Sequence, residues 1–203
     1  MTAITIVRRQ GPRVSVILRW TSYLFLAAGI CALGYVVYVY ASGYAFQKMA
    51  PIAFSSLPPK APAVERLLAE GRVIGRIQIE RLGLSAVVAQ GDSPSVLRRA
   101  VGHVPGTALP GEDGNIALAG HRDTFFRALR RTREGDVITL ATAQGEYQYE
   151  VQFTAVVPPT DMQVLRSSGK EELTLITCYP FFYIGPAPDR FVVRARRTQQ
   201  SPN

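Results

Sequence analysis

Residues 173–190 have the sequence LTLITCYPFFYIGPAPDR. The segment begins as an apolar, β-branched run, which predicts a buried strand that ends near Cys178. Pro180 stops this strand, because proline has no amide hydrogen to donate to a sheet. Arg190 stands immediately before a second apolar run, FVVRAR, which predicts the next strand. A cysteine at one strand end and an arginine at the start of the next favour a nucleophile, since a thiol reacts as its thiolate and nearby positive charge favours that form.

The alternative interpretation of Cys178 is a small buried apolar residue, which is common for free cysteine. Two features count against it. The only other cysteine, Cys31, lies in an apolar N-terminal run, so a disulfide between the two is not expected. In addition, an Ala-Gly-His motif at residues 119–121 supplies an imidazole that can act as a base.

The N-terminal region predicts a membrane anchor. Residues 20–47 carry no charge, and the apolar portion at 23–41 is long enough to cross a bilayer once. Four arginines precede it: Arg8, Arg9, Arg13 and Arg19. Because positive charge on this flank places the N-terminus in the cytoplasm, we predict a cytoplasmic basic tail at residues 1–19 and a transmembrane anchor at residues 20–42. The alternative is a cleaved signal peptide, whose apolar region is usually only ~7–15 residues long.

Residues 43–70 predict a stalk rather than a packed domain. The part from Lys48 to Val64 contains four prolines, which keep a chain extended. A short helix is predicted at residues 64–71, closed by Gly71. A folded domain at residues 71–198 and a tail at 199–203 complete the predicted organisation.

The folded domain shows the alternation of a β-rich protein. Strands are predicted at residues 73–79, 85–90, 116–119, 137–141, 147–157, 173–178 and 191–196. One helix is predicted from Pro94 to about Ala100, and another begins at a cap of Asp123 or Thr124 and runs to about Arg131. The Gly- and Pro-rich residues 103–115 predict a loop. Many short strands with few helices are typical of a closed or nearly closed β-barrel.

The net charge of +8 raises the question of nucleic acid as a partner. Outside the N-terminal flank, arginines cluster at Arg127, Arg130, Arg131 and Arg133. No stacking-aromatic motif or nucleic-acid fold signature accompanies them, so we predict no nucleic-acid partner. A solvated face, or attraction to anionic lipid headgroups, accounts for the cluster better.

Taken together, the motifs resemble those of sortases, the membrane-anchored cysteine transpeptidases of bacteria. Thr174-Leu-Ile-Thr-Cys178 is similar to the family's TLxTC signature, Ala119-Gly-His121 matches its histidine motif, and Arg190 matches the arginine that opens its last strand. The longer strings GNIALAGHRDTFF at 114–126 and TCYPF at 177–181 look most like class D sortases. The resemblance covers residues 71–197.

The resemblance implies an eight-stranded β-barrel with one or two short helices, preceded by one transmembrane helix. It implies that Cys178 is the nucleophile, His121 the general acid and base, and Arg190 the group that stabilises the oxyanion or the substrate. Thr177, Ala119 and Asp123 are the further substrate-binding candidates. Asp123 has two other interpretations, a carboxylate that orients His121 and a helix cap.

The family's reaction implies the partners. The substrate is a protein with an LPxTG-like C-terminal sorting signal, which is cleaved after threonine through a thioester. The acceptor is an amine, on a peptidoglycan precursor or on a protein subunit. The predicted location is the bacterial cytoplasmic membrane, crossed once, with the N-terminus inside and the catalytic domain outside.

Other interpretations of the same residues stay open. The Cys–His pair also suits a cysteine hydrolase that uses water, and the barrel also suits a non-catalytic anchored assembly module. His103, in a Gly/Pro loop, is expected to have a structural hydrogen-bonding role. No ligand-spaced cluster supports a metal site, so we predict no cofactor; some sortases use calcium, for which this sequence gives no support.

Overall fold

The computed structural model describes residues 12–55 and 69–198. The chain separates into two compact units, Met1–Ser42 and Gly43–Asn203. A long helix, α1, spans Pro12–Ser55. Within it, Val16–Met49 is long and apolar enough to cross a membrane. Large apolar side chains along this segment are exposed, including Phe25 and Val37, as expected for a helix that a bilayer surrounds.

The helix extends beyond the predicted anchor. Residues 48–55 are helical, so the prediction of an extended stalk is wrong for this part of the chain. Residues 56–68, which contain most of the predicted short helix, lie outside the described residues. Gly71 then lies in a turn with a φ of 79°, a value that suits glycine because it has no Cβ.

Eight strands close into a barrel in the order β1-β2-β3-β4-β7-β8-β6-β5. This confirms the predicted fold class. The strands are β1 (Val73–Ile79), β2 (Leu84–Gln90), β3 (Val101–His103), β4 (Asn115–Ala119), β5 (Val137–Thr142), β6 (Gly145–Val157), β7 (Glu172–Tyr179) and β8 (Asp189–Arg197).

Two of the strand pairs are parallel, β2 with β3 and β4 with β7, and the other pairs are antiparallel. The parallel β4–β7 pair matters most for the site. Parallel neighbours end at the same edge of a sheet, so residues that follow β4 and β7 lie close together.

Alternating residues of the strands fill the barrel interior. Aliphatic side chains from all eight strands are fully buried. Burial of each such side chain stabilises the fold by about 1.5–3 kcal/mol, so the barrel is a rigid frame for the loops at its ends. Examples are Ile77, Val88, Leu118, Leu140, Leu175 and Val193.

The short helices differ from the predicted ones. Helix α2 begins at Pro94 as predicted but ends at Leu97, before the predicted end near Ala100. The chain then turns into β3, which was not predicted as a strand. The helix predicted from Asp123 or Thr124 is a 3-10 helix at Arg127–Arg131, and no side chain caps it.

Ionic and hydrogen-bonding contacts fix this 3-10 helix to the turn after β1. Arg81 donates to both carboxylate oxygens of Asp136 and to the carbonyl oxygen of Arg131, the latter at 2.6 Å. Arg131 in turn donates to the carbonyl oxygen of Leu82 at 3.1 Å. The paired guanidinium of Arg81 lowers the pKa of Asp136 below its ordinary value. The C-terminal end of the segment that follows the Ala-Gly-His motif is therefore fixed to this turn.

Candidate active site

The parallel β4–β7 pair brings His121 and Cys178 to one end of the barrel. In this pair Ala119 lies opposite Ile176. The amide of Gly120 extends the ladder by donating to the carbonyl oxygen of Ile176 at 3.1 Å. His121 is two residues beyond Ala119, and Cys178 is two residues beyond Ile176, so the shared register directs both residues to the same end of the barrel.

The antiparallel β7–β8 pair brings Arg190 to the same place. Cys178 and Arg190 are direct register partners. Cys178, His121 and Arg190 are each partly exposed. The three residues therefore lie at the ends of three neighbouring strands, β4, β7 and β8, where solvent and a ligand can reach them.

A buried hydroxyl connects the segment of Cys178 with the segment of His121. Thr177 donates from Oγ1 to the carbonyl oxygen of Gly120 at 2.7 Å, and its exposed fraction is only 2%. The residue before the cysteine is thus bonded to the residue before the histidine. The hydroxyl of Thr177 is used in this internal hydrogen bond. The substrate-binding role predicted for Thr177 stays a prediction.

A steric constraint explains why residue 120, in the Ala-Gly-His motif, is glycine. A Cβ at Gly120 would lie 2.7 Å from Cδ2 of Phe126, closer than real Cβ atoms approach other atoms. Phe126 cannot easily move, because it is fully buried and its amide donates to the carbonyl oxygen of His121 at 3.1 Å. The ring packed on Gly120 therefore fixes the turn that presents His121.

Two backbone carbonyl groups close to Arg190 in the sequence orient its guanidinium. Its Nη1 donates to the carbonyl oxygens of Asp189 at 3.0 Å and of Ala187 at 3.4 Å. Within residues 69–198, its Nε and Nη2 donate no hydrogen bond. These N–H groups are thus available to an anionic oxygen, which suits a guanidinium because it is always charged and presents several donors.

Arg122 was not singled out by the sequence analysis, yet it contacts the loop that follows the cysteine. That loop, residues 180–188, is called the β7–β8 loop below. Arg122 donates from Nη1 to the carbonyl oxygen of Pro180 at 3.1 Å, and from Nη2 to those of Tyr183 at 2.8 Å and Gly185 at 3.2 Å. The only sequence signal for this role is its position directly after His121.

Comparison with known proteins agrees with this geometry. A model of the sortase domain matches residues 77–198. The chain belongs to the sortase family. It is 36% identical over 128 residues to Sortase D of Bacillus subtilis and 33% identical over 125 residues to Sortase A of Bacillus anthracis. These matches cover 63% and 60% of this chain, and 65% and 59% of the relatives, so the chain matches less than two thirds of their length.

The fold of this sortase is also similar to solved structures. One is a Clostridium perfringens sortase D5 transpeptidase, which superposes with a TM-score of 0.68 at 28% identity. The similarity covers 78% of this chain and 99% of that one. A class D sortase is among both the sequence relatives and the solved structures. This confirms the resemblance to sortases, including class D, that the sequence motifs indicate.

The remaining substrate-binding candidates of this sortase are Ala119 and Asp123. Ala119 is the last residue of β4 and is partly buried. Asp123 is exposed. Since the 3-10 helix has Phe126 at its N-cap and no side-chain cap, the capping role of Asp123 is wrong. In the described part of the chain its carboxylate makes no hydrogen bond to His121, and its predicted substrate and orienting roles stay predictions.

His103 lies in the barrel wall. It is the last residue of β3, and it is 1% exposed. Its Nδ1 is 2.9 Å from the side-chain oxygen of Gln90, and its Nε2 is 2.9 Å from the carbonyl oxygen of Ala108. Burial lowers the pKa of His103, against the opposite effects of the Ala108 carbonyl and of Glu112. These contacts agree with a structural role.

Within the described residues, no group of three or more His, Cys, Asp or Glu side chains is placed to hold a metal ion.

Proposed function

We propose that this chain is a membrane-anchored cysteine transpeptidase that cleaves a C-terminal sorting signal of the LPxTG type and joins the released carbonyl to an amine. The observation that supports it best is the register of β7 with its two neighbours, which pairs Cys178 with Arg190 and directs His121 to the same end of the barrel. A nucleophile, a proton carrier and a fixed cation are the groups that amide exchange through a thiol requires.

The first half of the proposed reaction forms a thioester. The Cys178 thiolate attacks the carbonyl carbon that follows the threonine of the sorting signal. The oxyanion that develops there is stabilised by the free N–H groups of Arg190. Imidazolium at His121 gives its proton to the departing amine, so the peptide C–N bond breaks and the C-terminal fragment leaves neutral.

The second half returns the enzyme to its starting state. Neutral His121 takes a proton from the incoming amine, which attacks the thioester carbonyl. The C–S bond breaks, and the Cys178 thiolate leaves as a new amide bond forms. The proposed acceptor is an amine of a peptidoglycan precursor or of another protein subunit.

The proposed location follows from the N-terminal region. The apolar helix at Val16–Met49 is long enough to span a bilayer, and arginines precede it in the sequence. We propose a single crossing of the bacterial cytoplasmic membrane with the N-terminus inside, because basic residues favour the cytoplasmic side. The barrel then lies outside, where surface proteins arrive with their sorting signals.

The proposed chemistry needs no cofactor, because each step uses a side chain of the site. We expect transfer to proceed at the same rate in EDTA and in added calcium. A rate that rises severalfold with calcium would contradict this part of the proposal.

The test uses the full chain in detergent micelles with a library of LPxTG-variant peptides, with and without several amines. Mass spectrometry of the products should show cleavage after threonine and a peptide–amine conjugate. The alternative, a cysteine hydrolase, predicts only the free acid and no gain in product when amine is added. A wild-type chain that gives neither product contradicts both.

The chain offers a matched control for the nucleophile. Cys31 lies in the apolar helix, and Cys178 lies at the site. Cys31→Ser should transfer peptide at the wild-type rate, whereas Cys178→Ser should show no transfer. Equal rates for the two variants would contradict the assignment of the nucleophile.

A further inference from the structure

The regular pairing of β4 with β7 ends just before the predicted catalytic pair. The last contacts on that side are the Gly120 amide to the Ile176 carbonyl, at 3.1 Å, and the Thr177 hydroxyl to the Gly120 carbonyl, at 2.7 Å. Beyond this point the chain after β4 becomes a loop, while β7 continues to Tyr179 and stays paired with β8. Without another contact, nothing in the ladder would fix the distance between His121 and Cys178.

Arg122 supplies contacts on the far side of the pair. Its guanidinium donates to three carbonyl oxygens of the β7–β8 loop, those of Pro180, Tyr183 and Gly185. Its Cζ also lies 5.7 Å from the centroid of the Tyr183 ring. His121 and Cys178 therefore lie between two sets of hydrogen bonds that connect the same two segments, with Thr177 on one side and Arg122 on the other.

The loop is not held by burial of its tip. Ile184 is fully exposed and Phe182 is 75% exposed. Only Phe181, at the base, packs against the core. The second contact near the tip is again an arginine from the segment after the histidine, since Cζ of Arg130 lies 5.1 Å from the centroid of the Phe182 ring. The conformation of the loop thus depends on that segment.

The chemistry of the contact explains why the residue is arginine. Three carbonyl oxygens that converge on one place carry partial negative charges, which repel each other unless a cation separates them. A guanidinium has five N–H donors in one plane and can serve several acceptors at once. Lysine has the same charge, but its single ammonium on a flexible stem cannot hold three carbonyls in this arrangement.

We infer that Arg122 is a positioning residue of the reaction: it holds the β7–β8 loop against the histidine segment and so sets how His121 faces Cys178. The inference rests on the proposed function for its kinetic consequence. Arg122 donates its described bonds to protein carbonyls, and it takes no part in bond making or breaking.

The kinetic expectation follows from that arrangement. Displacement of reacting groups by about 1 Å costs up to about 100-fold in rate, so Arg122→Ala should lower kcat by about 10- to 100-fold. The KM for the sorting-signal peptide should change far less, because Arg122 is not expected to bind substrate. Arg122→Lys should recover only a small part of the loss, because the planar group is missing.

Arg127→Ala is the matched control. Arg127 is an exposed arginine of the same segment, and in residues 69–198 no side-chain hydrogen bond is described for it. Its removal deletes one positive charge near the site without loss of a contact to the loop. We expect wild-type kcat for this variant.

A second readout does not depend on activity. Chymotrypsin cleaves after aromatic residues, and cleavage of an ordered loop requires local opening. In the full chain in micelles, cleavage after Phe182 and Tyr183, followed by mass spectrometry, should be about tenfold faster in Arg122→Ala than in wild type. Arg127→Ala should be cleaved at the wild-type rate, and the melting temperature of each variant shows that the barrel is intact.

The outcomes separate the inference from the proposed function. Slower turnover together with faster loop cleavage in Arg122→Ala supports the inference. Wild-type kcat, or a lower kcat with unchanged loop cleavage, overturns it, as does full recovery by Arg122→Lys. If the wild-type chain transfers no peptide, the proposed function fails, and the kinetic part of the inference fails with it, while the cleavage rates still decide the role of Arg122 in holding the loop. If Arg122→Ala does not fold, the same two measurements on Arg122→Lys decide.

Discussion

Cys178 and Arg190 face each other as register partners across the antiparallel strands β7 and β8. Only Tyr179, the β7–β8 loop and Asp189 lie between them in the chain, so the pairing of β7 with β8 determines their separation. In the same structure the parallel pair of β4 with β7, whose register ends at Ala119 and Ile176, directs His121 to the same end of the barrel. The site thus depends on two different kinds of strand pairing, one local and one between distant parts of the sequence.

The facing position of Arg190 leads to the first prediction. Arg190→Ala should lower kcat by about 10²- to 10³-fold, the usual loss on removal of a donor to a developing oxyanion. Arg190→Lys should fall between this variant and the wild type, because it keeps the charge but not the planar donors. The measurement is steady-state transfer of a sorting-signal peptide to an amine.

Arg196→Ala is the control for this prediction. Arg196 is an exposed arginine of the same strand, so its loss changes the net charge equally but leaves the site unchanged. Wild-type turnover is expected for it. Equal losses for Arg196→Ala and Arg190→Ala would show that net charge, rather than position, matters.

The contact between Gly120 and Phe126 gives a second prediction. Gly120→Ala places a methyl group against a fully buried ring, and such overpacking typically costs about 1–3 kcal/mol of stability. It should also displace His121 and lower turnover by at least about tenfold. Thermal unfolding and peptide transfer measure the two effects.

A double variant isolates the steric cause. Gly120→Ala combined with Phe126→Leu should recover part of the lost stability and turnover, since leucine leaves room for the methyl group. Strictly additive losses in the double variant would mean that the ring is not the obstacle.

The Thr177 hydroxyl gives a third prediction. Thr177→Val keeps the side-chain shape but removes the donor to the Gly120 carbonyl, and loss of a buried hydrogen-bond partner costs about 1–3 kcal/mol. Turnover should fall as well, because the bond connects the cysteine and histidine segments. Thr177→Ser retains the hydroxyl and should remain close to wild type in both measurements. A stable and fully active Thr177→Val variant would contradict this account of the residue.

Burial of His103 gives a fourth prediction, on pH and stability. Because the pKa of His103 is lowered in the folded protein, the unfolded chain takes up this proton at a higher pH than the folded chain does. Stability should therefore fall as pH drops through about 6.5, the ordinary pKa of histidine, toward the folded pKa. One such group changes stability by at most about 1.4 kcal/mol per pH unit.

His103→Gln removes this titration while its amide keeps hydrogen-bonding capacity. The melting temperature of the variant should depend less on pH than that of the wild type between about pH 7.5 and pH 5.5. Glu112, which acts on the same imidazole, stays unchanged in the variant. Identical pH dependence in both proteins would rule out His103 as the source.

Much of the fold follows from local patterns in the sequence. Seven of the eight strands lie where alternation and β-branched runs predict them, and the barrel follows from their number and length. The strand Val101–His103 is the exception. It has only three residues, and its pairing with β2 and β4 is a tertiary contact that no local pattern encodes.

The sequence predicts candidate residues of the site but not the contacts between segments. Motifs single out Cys178, His121 and Arg190 because chemistry restricts which residues can serve, and their catalytic roles stay predictions. The bond from Thr177 to Gly120 and those from Arg122 to the β7–β8 loop join segments about 57 to 63 residues apart. Side chains that act through such distant backbone atoms carry no local signature, so only the folded structure identifies them.

The intact mass of the protein during turnover tests the central claim most directly. On addition of an LPxTG-like peptide without amine, the wild-type chain should gain the mass of the peptide's N-terminal fragment, and peptide mapping should locate it on Cys178. The adduct should disappear when amine is added, as the conjugate forms, and His121→Ala should accumulate none. An adduct on Cys31, or peptide transfer at the wild-type rate by Cys178→Ala, would contradict the account.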